Sequence, residues 1–217
     1  MINNIIRFTR RKIRDNFKEQ LSKNDIQDIG DKNFVLISNN CWGGEVYQWY
    51  KRPYNSPFIG LFLYGPCYIK LLSNFDHYMN QKIEFVKESK YPDRAPTYPI
   101  GKLDDIEVHF THYESEEVAR SKWERRTKRM LEEKNKENYY FKICDRERVD
   151  NEIIYKFHDL PFQNKISYSL KSDLSLEEKN HIKINEIDKK RGSVPNGKKL
   201  YKLTFLYYDL HKWLKAS

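Results

Sequence analysis

Residues Phe34 to Tyr64 read FVLISNNCWGGEVYQWYKRPYNSPFIGLFLY, in which two apolar runs flank a polar corner and a loop. The run at 34–38 predicts a strand that is buried on both faces. Residues 45–50 predict a short helix, which Pro53 prevents from continuing. The second apolar run, at 59–64, predicts another buried strand. The stretch therefore has the strand–helix–strand pattern that is typical of α/β folds.

The same alternation continues through the rest of the chain. Further strands are predicted at 83–86, 106–113, 139–144 and 165–169, and further helices at 65–80, 115–134, 147–157 and 202–215. Strands that alternate with helices indicate a three-layer α/β/α sandwich with a mainly parallel or mixed central sheet.

The length of 217 residues suits one substantial core and is short for two. We therefore predict a single α/β domain over residues 31–217, whose C-terminal third is polar and basic. Residues 1–30 are predicted to form a basic amphipathic helix and a polar connector ahead of this domain.

Residues 2–21 have the pattern of an amphipathic helix. At about 100° per residue, an apolar stripe falls on one face and an arginine stripe on the opposite face. The apolar stripe consists of Ile2, Ile5, Ile6, Ile13 and Phe17, and the basic stripe of Arg7, Arg11 and Arg14. Such a helix could lie on anionic lipid as a peripheral membrane contact. Alternatively, the apolar stripe packs on the domain or mediates dimerisation.

The composition is basic, with 40 Lys and Arg against 31 Asp and Glu, a net charge of +9. This excess favours anionic partners, such as a phosphorylated small molecule, an acidic membrane surface or nucleic acid. The alternative is a solvated surface that follows from a composition rich in Lys, Asn, Ile and Tyr. Nucleic acid is the least favoured partner, because no helix-turn-helix, zinc-finger or RNP-like string is visible.

The 3 cysteines have no CxxC spacing, which fits a reducing compartment and argues against a disulfide scaffold or a structural zinc site. No apolar run approaches the ~18 residues of a membrane span, and none follows the basic N-terminus as a signal peptide would. We therefore predict a cytoplasmic protein, held at the inner membrane face if its first helix binds lipid.

The polar corner at 38–44 is the predicted ligand site. It joins the end of a buried strand to the start of a helix, where backbone N–H groups point outward and α/β folds bind anions. The predicted ligand-binding residues are Ser38, Asn39, Asn40, Trp42, Gly43 and Gly44, together with Tyr54, Asn55 and Ser56 of the next loop. The alternative is a tight turn capped by Asn40. Cys41 at the helix start could be a nucleophile, although a small buried filler is the more usual role.

Two aspartates and a histidine are the predicted catalytic residues. His112 lies near the end of the predicted strand 106–113, on the face of its apolar residues, and could act as a general base. Asp105 or its neighbour Asp104 could share that role. Adjacent carboxylates can also bind a divalent cation, so a metal cofactor stays open. The alternative for His112 is a hydrogen-bonded core histidine.

Arg126 falls on the apolar face of the predicted helix 115–134, beside Trp123 and Met130. A guanidinium that points inward needs a partner, because burying it alone is costly. That partner is either a substrate phosphate or an internal carboxylate such as Asp105 or Asp145.

Three strings carry a resemblance to a known family: ISNNCWGGEVY, PYNSPFIGLFLYGPCYIKLL and YPIGKLDDIEVHFTHYESEEVARSKWERR. They resemble an uncharacterised bacterial domain family that is often found in exopolysaccharide and capsule gene clusters. The match covers about Phe34 to Phe157. The resemblance implies an α/β/α fold and a link to surface-polysaccharide synthesis. It assigns a catalytic role to no residue of this chain.

Together these observations predict a transferase of exopolysaccharide or capsule assembly that acts on a sugar nucleotide, a sugar phosphate or a lipid-linked sugar. The corner and Arg126 would hold the anionic part, Trp42 would stack on the sugar, and His112 or Asp105 would activate the acceptor hydroxyl. The alternative is a non-catalytic binding or scaffold protein at the inner membrane face.

Overall fold

The computed structural model describes the backbone of residues 2–91, 96–171, 176 and 179–216, and side chains from residue 5 onward. In chain order, the helices and strands of these ranges are α1 (Ile2–Asn16), α2 (Lys18–Ile29), β1 (Val35–Ser38), α3 (Trp42–Trp49), α4 (Gly65–Ser73), α5 (Phe75–Met79), β2 (Glu84–Val86), β3 (Ile100–Leu103), β4 (Ile106–His109), α6 (Glu116–Glu132), β5 (Tyr139–Cys144), α7 (Asn151–Asp159), β6 (Asn164–Ser169), β7 (His181–Lys183), α8 (Gly197–Thr204) and α9 (Leu210–Lys215).

The main sheet is parallel and has the strand order β1-β5-β6-β7. A second, antiparallel sheet has the order β2-β3-β4. Helices α3 to α6 lie between β1 and β5 in the chain, and α7 lies between β5 and β6, as is usual for the connections of parallel pairs. The predicted α/β class with a mainly parallel central sheet is therefore confirmed.

Successive residues of the parallel strands feed two separate cores, because side chains alternate between the faces of a sheet. Val35 and Ile37 of β1 pack in a core with α4, α6, α7 and the antiparallel sheet. Leu36 packs on the other face, in a core with α3, α8 and α9. All three side chains are fully buried. Apolar side chains therefore cover both faces of β1, as its continuous apolar run predicts.

The predicted strand at 59–64 is instead a buried connection between the two sheets. Phe62 exchanges backbone hydrogen bonds of 3.0 and 2.9 Å with His109 at the end of β4. One residue later, the N–H of Leu63 donates to Asn39 O at 3.0 Å, just beyond β1. The segment is apolar because Leu61 and Leu63 are fully buried. It does not form a strand, because Phe62 pairs with His109 and Leu63 with Asn39.

Other boundaries also differ from the predictions. The predicted first helix is divided at Phe17, and part of the predicted connector is helical, since α2 continues to Ile29. The short strands β3 and β7 were not predicted. Within the described residues, no helix combines the length and the hydropathy that crossing a membrane requires.

A buried polar cluster lies between α7 and the sheet. His158 Nε2 is 2.7 Å from Ser167 Oγ, which is also 2.7 Å from His181 Nδ1. Burial, together with the nearby positive charge of Lys165, lowers the pKa of His158 from 6.5 to about 4. Between pH 6.5 and about 4, the imidazole of His158 is therefore neutral in the folded protein and protonated in the unfolded chain.

We expect acid to destabilise the protein through His158. Between pH 6.5 and 4 the unfolded state binds a proton that the folded state does not. The free energy of unfolding therefore decreases as the pH is lowered through this range, by about 3 kcal/mol in all. Urea unfolding of the wild type and of His158→Gln across this range measures the effect. The variant should show a shallower loss, and equal slopes would contradict the assignment.

Candidate functional site

The side chains of the predicted corner face inward. Ser38, Asn39, Asn40 and Trp42 are all buried, as are Gly43 and Gly44. The indole Nε1 of Trp42 donates to Thr204 Oγ1 at 3.2 Å, and its ring packs 6.0 Å from the ring of Tyr168. Trp42 is thus a core residue, and its ring faces are not open to a ligand.

The corner is also covered by the protein's own backbone. The N–H of Trp42 donates to the side-chain oxygen of Asn40 at 3.2 Å. The start of α8 lies directly against this turn, since a Cβ on Gly197 would lie 2.5 Å from Trp42 N and 2.9 Å from Asn40 Oδ1. Asn40 therefore caps the turn from within, and α8 closes it from outside.

A fully buried lysine lies behind the corner. Lys142 Nζ of β5 donates to the side-chain oxygens of Asn39 and Asn40, at 3.2 and 3.1 Å. Asn40 Nδ2 in turn donates to Cys144 Sγ at 3.1 Å. Burial lowers the pKa of Lys142. The two asparagines that the sequence offered to a ligand are thus partners of an internal lysine.

Cys41 is mostly enclosed as well. Burial raises the pKa of its thiol, and its Sγ lies 3.7 Å from Leu61 O. A raised pKa disfavours the thiolate, so the geometry gives no support to a nucleophile at this position.

The Tyr54–Ser56 loop lies at the opposite end of β1 from the corner. Asn55 Nδ2 donates to Phe34 O at 3.0 Å, just before the strand begins. In a strand–helix–strand unit the helix returns the chain to the amino edge of the sheet, so the loop that follows it cannot share the carboxyl edge. The strand rise places Phe34 and Asn40 about 20 Å apart. Asn55 and Asn40 therefore cannot face one small ligand, and Ser56 Oγ donates to Leu36 O at 2.6 Å, within β1.

Asp104 and Asp105 form the two-residue turn between β3 and β4. Asp105 pairs with Lys70 and accepts a 2.8 Å hydrogen bond from Tyr78, and these contacts lower its pKa. Asp104 lies 3.4 Å from His77 Nε2. Neighbouring side chains thus bind both carboxylates at the surface of the antiparallel sheet.

His112 lies beyond the other end of β4 from these aspartates. The strand stops at His109, because Thr111 N donates back to His109 O at 3.0 Å and starts a turn. The turn ends the alternation on which the inward orientation of His112 was predicted, and His112 is exposed. The structure does not bring it to Asp104 or Asp105.

Arg126 does point inward, where its partners are aromatic. Its side chain is buried, its Nη1 donates to the hydroxyl of Tyr113 at 2.7 Å, and its Cζ lies 4.9 Å from the ring centre of Tyr54. The carboxylates that the sequence offered as partners lie elsewhere. Asp105 pairs with Lys70, and Asp145 accepts backbone N–H groups of the C-terminal part.

An open cavity of about 360 Å³ lies at the carboxyl end of β5. Its lining consists of Tyr64, Asp145, Arg146, Glu147, Arg148, Val149, Arg191, Gly192 and Ser193, and we call it the arginine pocket. In open α/β sheets the crevice beyond the carboxyl ends of the strands is the usual ligand site. Because β5 lies beside β1, the arginine pocket is a neighbour of the predicted corner.

The arginines of this pocket have different environments. Arg146 is buried and donates to Asp188 at 3.0 Å and to Val194 O at 2.7 Å. Arg148 is exposed, with its guanidinium 5.1 Å from the ring centre of Tyr91. Arg191 is 41% exposed at the rim. Arg146 therefore supports the pocket, whereas Arg148 and Arg191 line it with exposed side chains.

The backbone of the pocket is strained. Glu147 and Arg148 have φ angles of 56° and 60°, in the left-handed region that residues with a Cβ seldom adopt. The Glu147 O also accepts the N–H of Gly65 at 2.7 Å, at the start of α4. The Glu147 side chain is only 8% exposed, with its carboxylate 3.7 Å from Arg191. Strain of this kind is concentrated at ligand and catalytic sites.

The sequence contained one signal for this pocket that was not included among the predicted site residues. Asp145-Arg146-Glu147-Arg148 follows an apolar strand directly, and a dense charge cluster at a buried strand end is a site signal in α/β folds. Arg191 had no local signal, because the chain fold alone brings it there. Within the described residues, no group of three or more His, Cys, Asp or Glu side chains is arranged to hold a metal ion.

Comparison with known proteins gives a family. Residues 11–215 match the family described as "Domain of unknown function (DUF1919)". An uncharacterized protein of Haemophilus influenzae is 34% identical over 194 residues, which is 87% of each chain. The match extends from within α1 to the end of α9, so it includes both sheets and the arginine pocket. The chain therefore belongs to the DUF1919 family.

Proposed function

We propose that the arginine pocket binds the phosphate of a sugar nucleotide or sugar phosphate, and that the protein is a transferase of surface-polysaccharide synthesis. The observation that supports this most strongly is the pocket itself, which combines exposed guanidinium groups with a strained strand end. Arginine suits this role because its planar fork of donors matches the oxygens of a phosphate. The polysaccharide link comes from the resemblance of the sequence strings given above.

Two buried tyrosines support Arg148 at the wall of the pocket. The Tyr64 ring lines it, and its centre lies 4.0 Å from that of Tyr91. Arg148 lies over both rings, at 5.8 and 5.1 Å. The stacked rings therefore hold the guanidinium at the pocket, where it would meet a phosphate.

Glu147 is the candidate general base of the transfer. Its carboxylate would take the proton of an acceptor hydroxyl, whose oxygen forms the new bond to the anomeric carbon. The bond from that carbon to the phosphate oxygen breaks, and the phosphate leaves with the electron pair. Arg148 and Arg191 would stabilise the charge that develops on the leaving group.

A titration with UDP-glucose and glucose 1-phosphate tests the anion site. Arg148→Gln removes one charged donor and is expected to weaken binding about tenfold or more. Arg125→Gln is the matched control, since Arg125 is an exposed residue of α6 outside the pocket and its loss changes the net charge equally. Equal weakening in both variants would show that only the overall charge matters, which would contradict the site.

The transferase part is tested in cells that lack the gene. Complementation with Glu147→Gln is expected to leave polysaccharide output at the level of the deletion, while the purified variant still binds UDP-glucose. Full output with this variant would rule out Glu147 as the base. That result would not contradict phosphate binding at the arginine pocket, and it would favour a non-catalytic binding or scaffold protein.

We also propose that α1 holds the protein at an anionic membrane face. The side chains of Ile5, Ile13 and Phe17 are 60%, 51% and 59% exposed. Arginines of α1 turn to the domain instead, where Arg7 binds Glu186 and Arg14 lies 4.2 Å from the ring centre of Trp49. The helix thus docks through its basic face and leaves its apolar stripe outward. The side chain of Ile2, which completes the predicted stripe, lies outside the described residues.

The charges around the stripe favour lipid as its partner. Lys12 and Lys18 are exposed on the same stretch of chain. A helix that lies in a membrane interface inserts its apolar face and keeps such cations at the level of the anionic head groups. A scaffold protein would use the same contact, so membrane binding by itself does not decide between the two functions.

Replacing the outward stripe is expected to abolish membrane binding. The triple variant Ile5→Ser, Ile13→Ser and Phe17→Ser should reduce partition onto phosphatidylcholine–phosphatidylglycerol vesicles by about a hundredfold, because each inserted side chain contributes at least about 1 kcal/mol. Vesicle sedimentation measures it. Ile187→Ser is the control, since Ile187 is 47% exposed and does not belong to the α1 stripe. Unchanged partition of the triple variant would contradict the proposal.

A further inference from the structure

A second cavity, of about 490 Å³, lies between α1 and the C-terminal helices. We call it the α1 cleft. Its walls include Arg10 and Arg14 from α1, Trp49 and Tyr50 at the end of α3, and Phe205 and Tyr208 between α8 and α9. The cleft belongs to the helical side of the molecule and shares no lining residue with the arginine pocket.

The α1 side of the cleft is cationic. The guanidinium of Arg14 lies between two rings, 4.2 Å from the centre of Trp49 and 4.5 Å from that of Phe205. Arg10 lies 6.0 Å from the same Phe205 ring. In the described part of the chain, neither guanidinium has a carboxylate within 4.0 Å. Two guanidinium groups that line the cleft without a carboxylate at ion-pair distance suit a phosphate on this side.

The far side of the cleft suits hydroxyl groups. Asp25 accepts the Trp49 indole N–H at 2.7 Å, and Asp209 accepts the backbone N–H of Lys212 at 2.9 Å. Both carboxylates line the cleft and keep further acceptor capacity. The ring of His211 also lines it and contacts the Tyr50 hydroxyl at 2.9 Å. Carboxylates would repel a phosphate placed here, whereas they accept hydrogen bonds from the hydroxyls of a sugar or polyol.

We propose that the α1 cleft binds the head group of a lipid-linked phosphorylated sugar or polyol, an inference that rests on the proposed membrane docking of α1. The phosphate lies at Arg10 and Arg14, the hydroxyl-bearing ring lies towards Asp25 and Asp209, and the lipid chain follows the outward apolar stripe into the bilayer.

Phosphatidylinositol serves as the probe, because it joins a lipid, a phosphate and a polyol ring. Binding is measured on phosphatidylcholine vesicles that contain either phosphatidylinositol or the same fraction of phosphatidylglycerol, which has equal charge and no ring. The wild type is expected to prefer phosphatidylinositol about tenfold, the gain of one or two well-made hydrogen bonds to charged groups.

Two substitutions of Arg14 test whether the preference for phosphatidylinositol depends on the α1 cleft. Arg14→Gln is expected to remove it while binding to phosphatidylglycerol persists, and Arg14→Lys, which keeps the charge, should lose most of it without altering the fold. Arg11→Gln is the matched control, since Arg11 is exposed on the same helix outside the cleft, and it should weaken both vesicle types equally. A preference that survives in Arg14→Gln would overturn the assignment.

The remaining outcomes separate this inference from the proposal on which it rests. Equal binding of the wild type to both vesicle types would overturn the cleft and leave membrane docking in place. Binding to neither would overturn both. Soluble inositol 1-phosphate, titrated in the Arg148→Gln background, should bind at least about tenfold more weakly than the lipid. Equal affinity for inositol 1-phosphate and phosphatidylinositol would indicate that the cleft binds a free sugar phosphate, and it would contradict the proposal that the ligand is lipid-linked.

Discussion

Gly197→Ala is expected to destabilise the protein by about 3 kcal/mol, although alanine is the better helix former. The new methyl would lie 2.5 Å from Trp42 N and 3.0 Å from the carbonyl carbon of Cys41, and backbone atoms cannot move aside as a flexible side chain can. Overpacking of this kind costs about 1 to 3 kcal/mol or more, which exceeds the ~1 kcal/mol that alanine gains in helix propensity.

Thermal unfolding measures this prediction. For a domain of this size, 3 kcal/mol lowers Tm by about 6 to 12 °C. Gly192→Ala is the matched control, because Gly192 has nothing within 4 Å of its Cβ position and carries only the cost of a φ of 63°. That cost is about 1 to 2 kcal/mol. A Gly197→Ala protein as stable as the wild type would show that α8 does not close the corner.

The second large effect is expected at Arg146. Arg146→Met is expected to lower the free energy of unfolding by about 3 kcal/mol, because the buried Val194 O and the partly exposed Asp188 lose their charged donor. The guanidinium lowers the pKa of Asp188, which shows how closely the two groups interact. Urea unfolding at neutral pH measures the loss.

A double-mutant cycle separates this pair from general damage to the pocket. Arg146→Met combined with Asp188→Asn should cost less than the sum of the single changes, with an interaction energy of about 1 to 3 kcal/mol. Arg191→Met, at the exposed rim, should change stability by less than about 1 kcal/mol. Strictly additive losses would contradict the role of Arg146 in joining β5 to the C-terminal segment.

The fold class was predictable because hydrophobic patterning acts locally. Continuous apolar runs at 34–38 and 139–144 correspond to β1 and β5, which are neighbours in the parallel sheet. The run at 59–64 has the same composition and forms no strand, because burial and strand pairing give the same sequence pattern. Whether a buried run pairs along its length depends on partners that are distant in sequence.

The candidate site was less predictable, for a topological reason. The sequence indicated that a strand-to-helix corner at 38–44 is polar, yet the group that satisfies its asparagines is Lys142, about 100 residues away. The lysine itself looks like an ordinary charged residue within an apolar strand. The loop at Tyr54–Ser56 seemed adjacent to the corner in sequence, and α3 carries it to the other edge of the sheet.

The first helix shows a further limit of sequence patterns. The periodicity of residues 2–21 indicated an apolar face and a basic face, and either could have packed on the domain. Arg14 packs against the rings of Trp49 and Phe205, so this side of the helix faces the domain. No local rule predicts this choice, because the aromatic residues that determine it lie in α3 and beyond α8.

Hydrogen–deuterium exchange with and without UDP-glucose tests most directly the central claim, that a phosphorylated sugar binds at the carboxyl end of β5. The account predicts slower exchange in the peptides that cover residues 145–149 and 188–194, with no change at 53–57, and loss of this protection in Arg148→Gln. Protection confined to 38–44 or 53–57, with 145–149 unaffected, would contradict it.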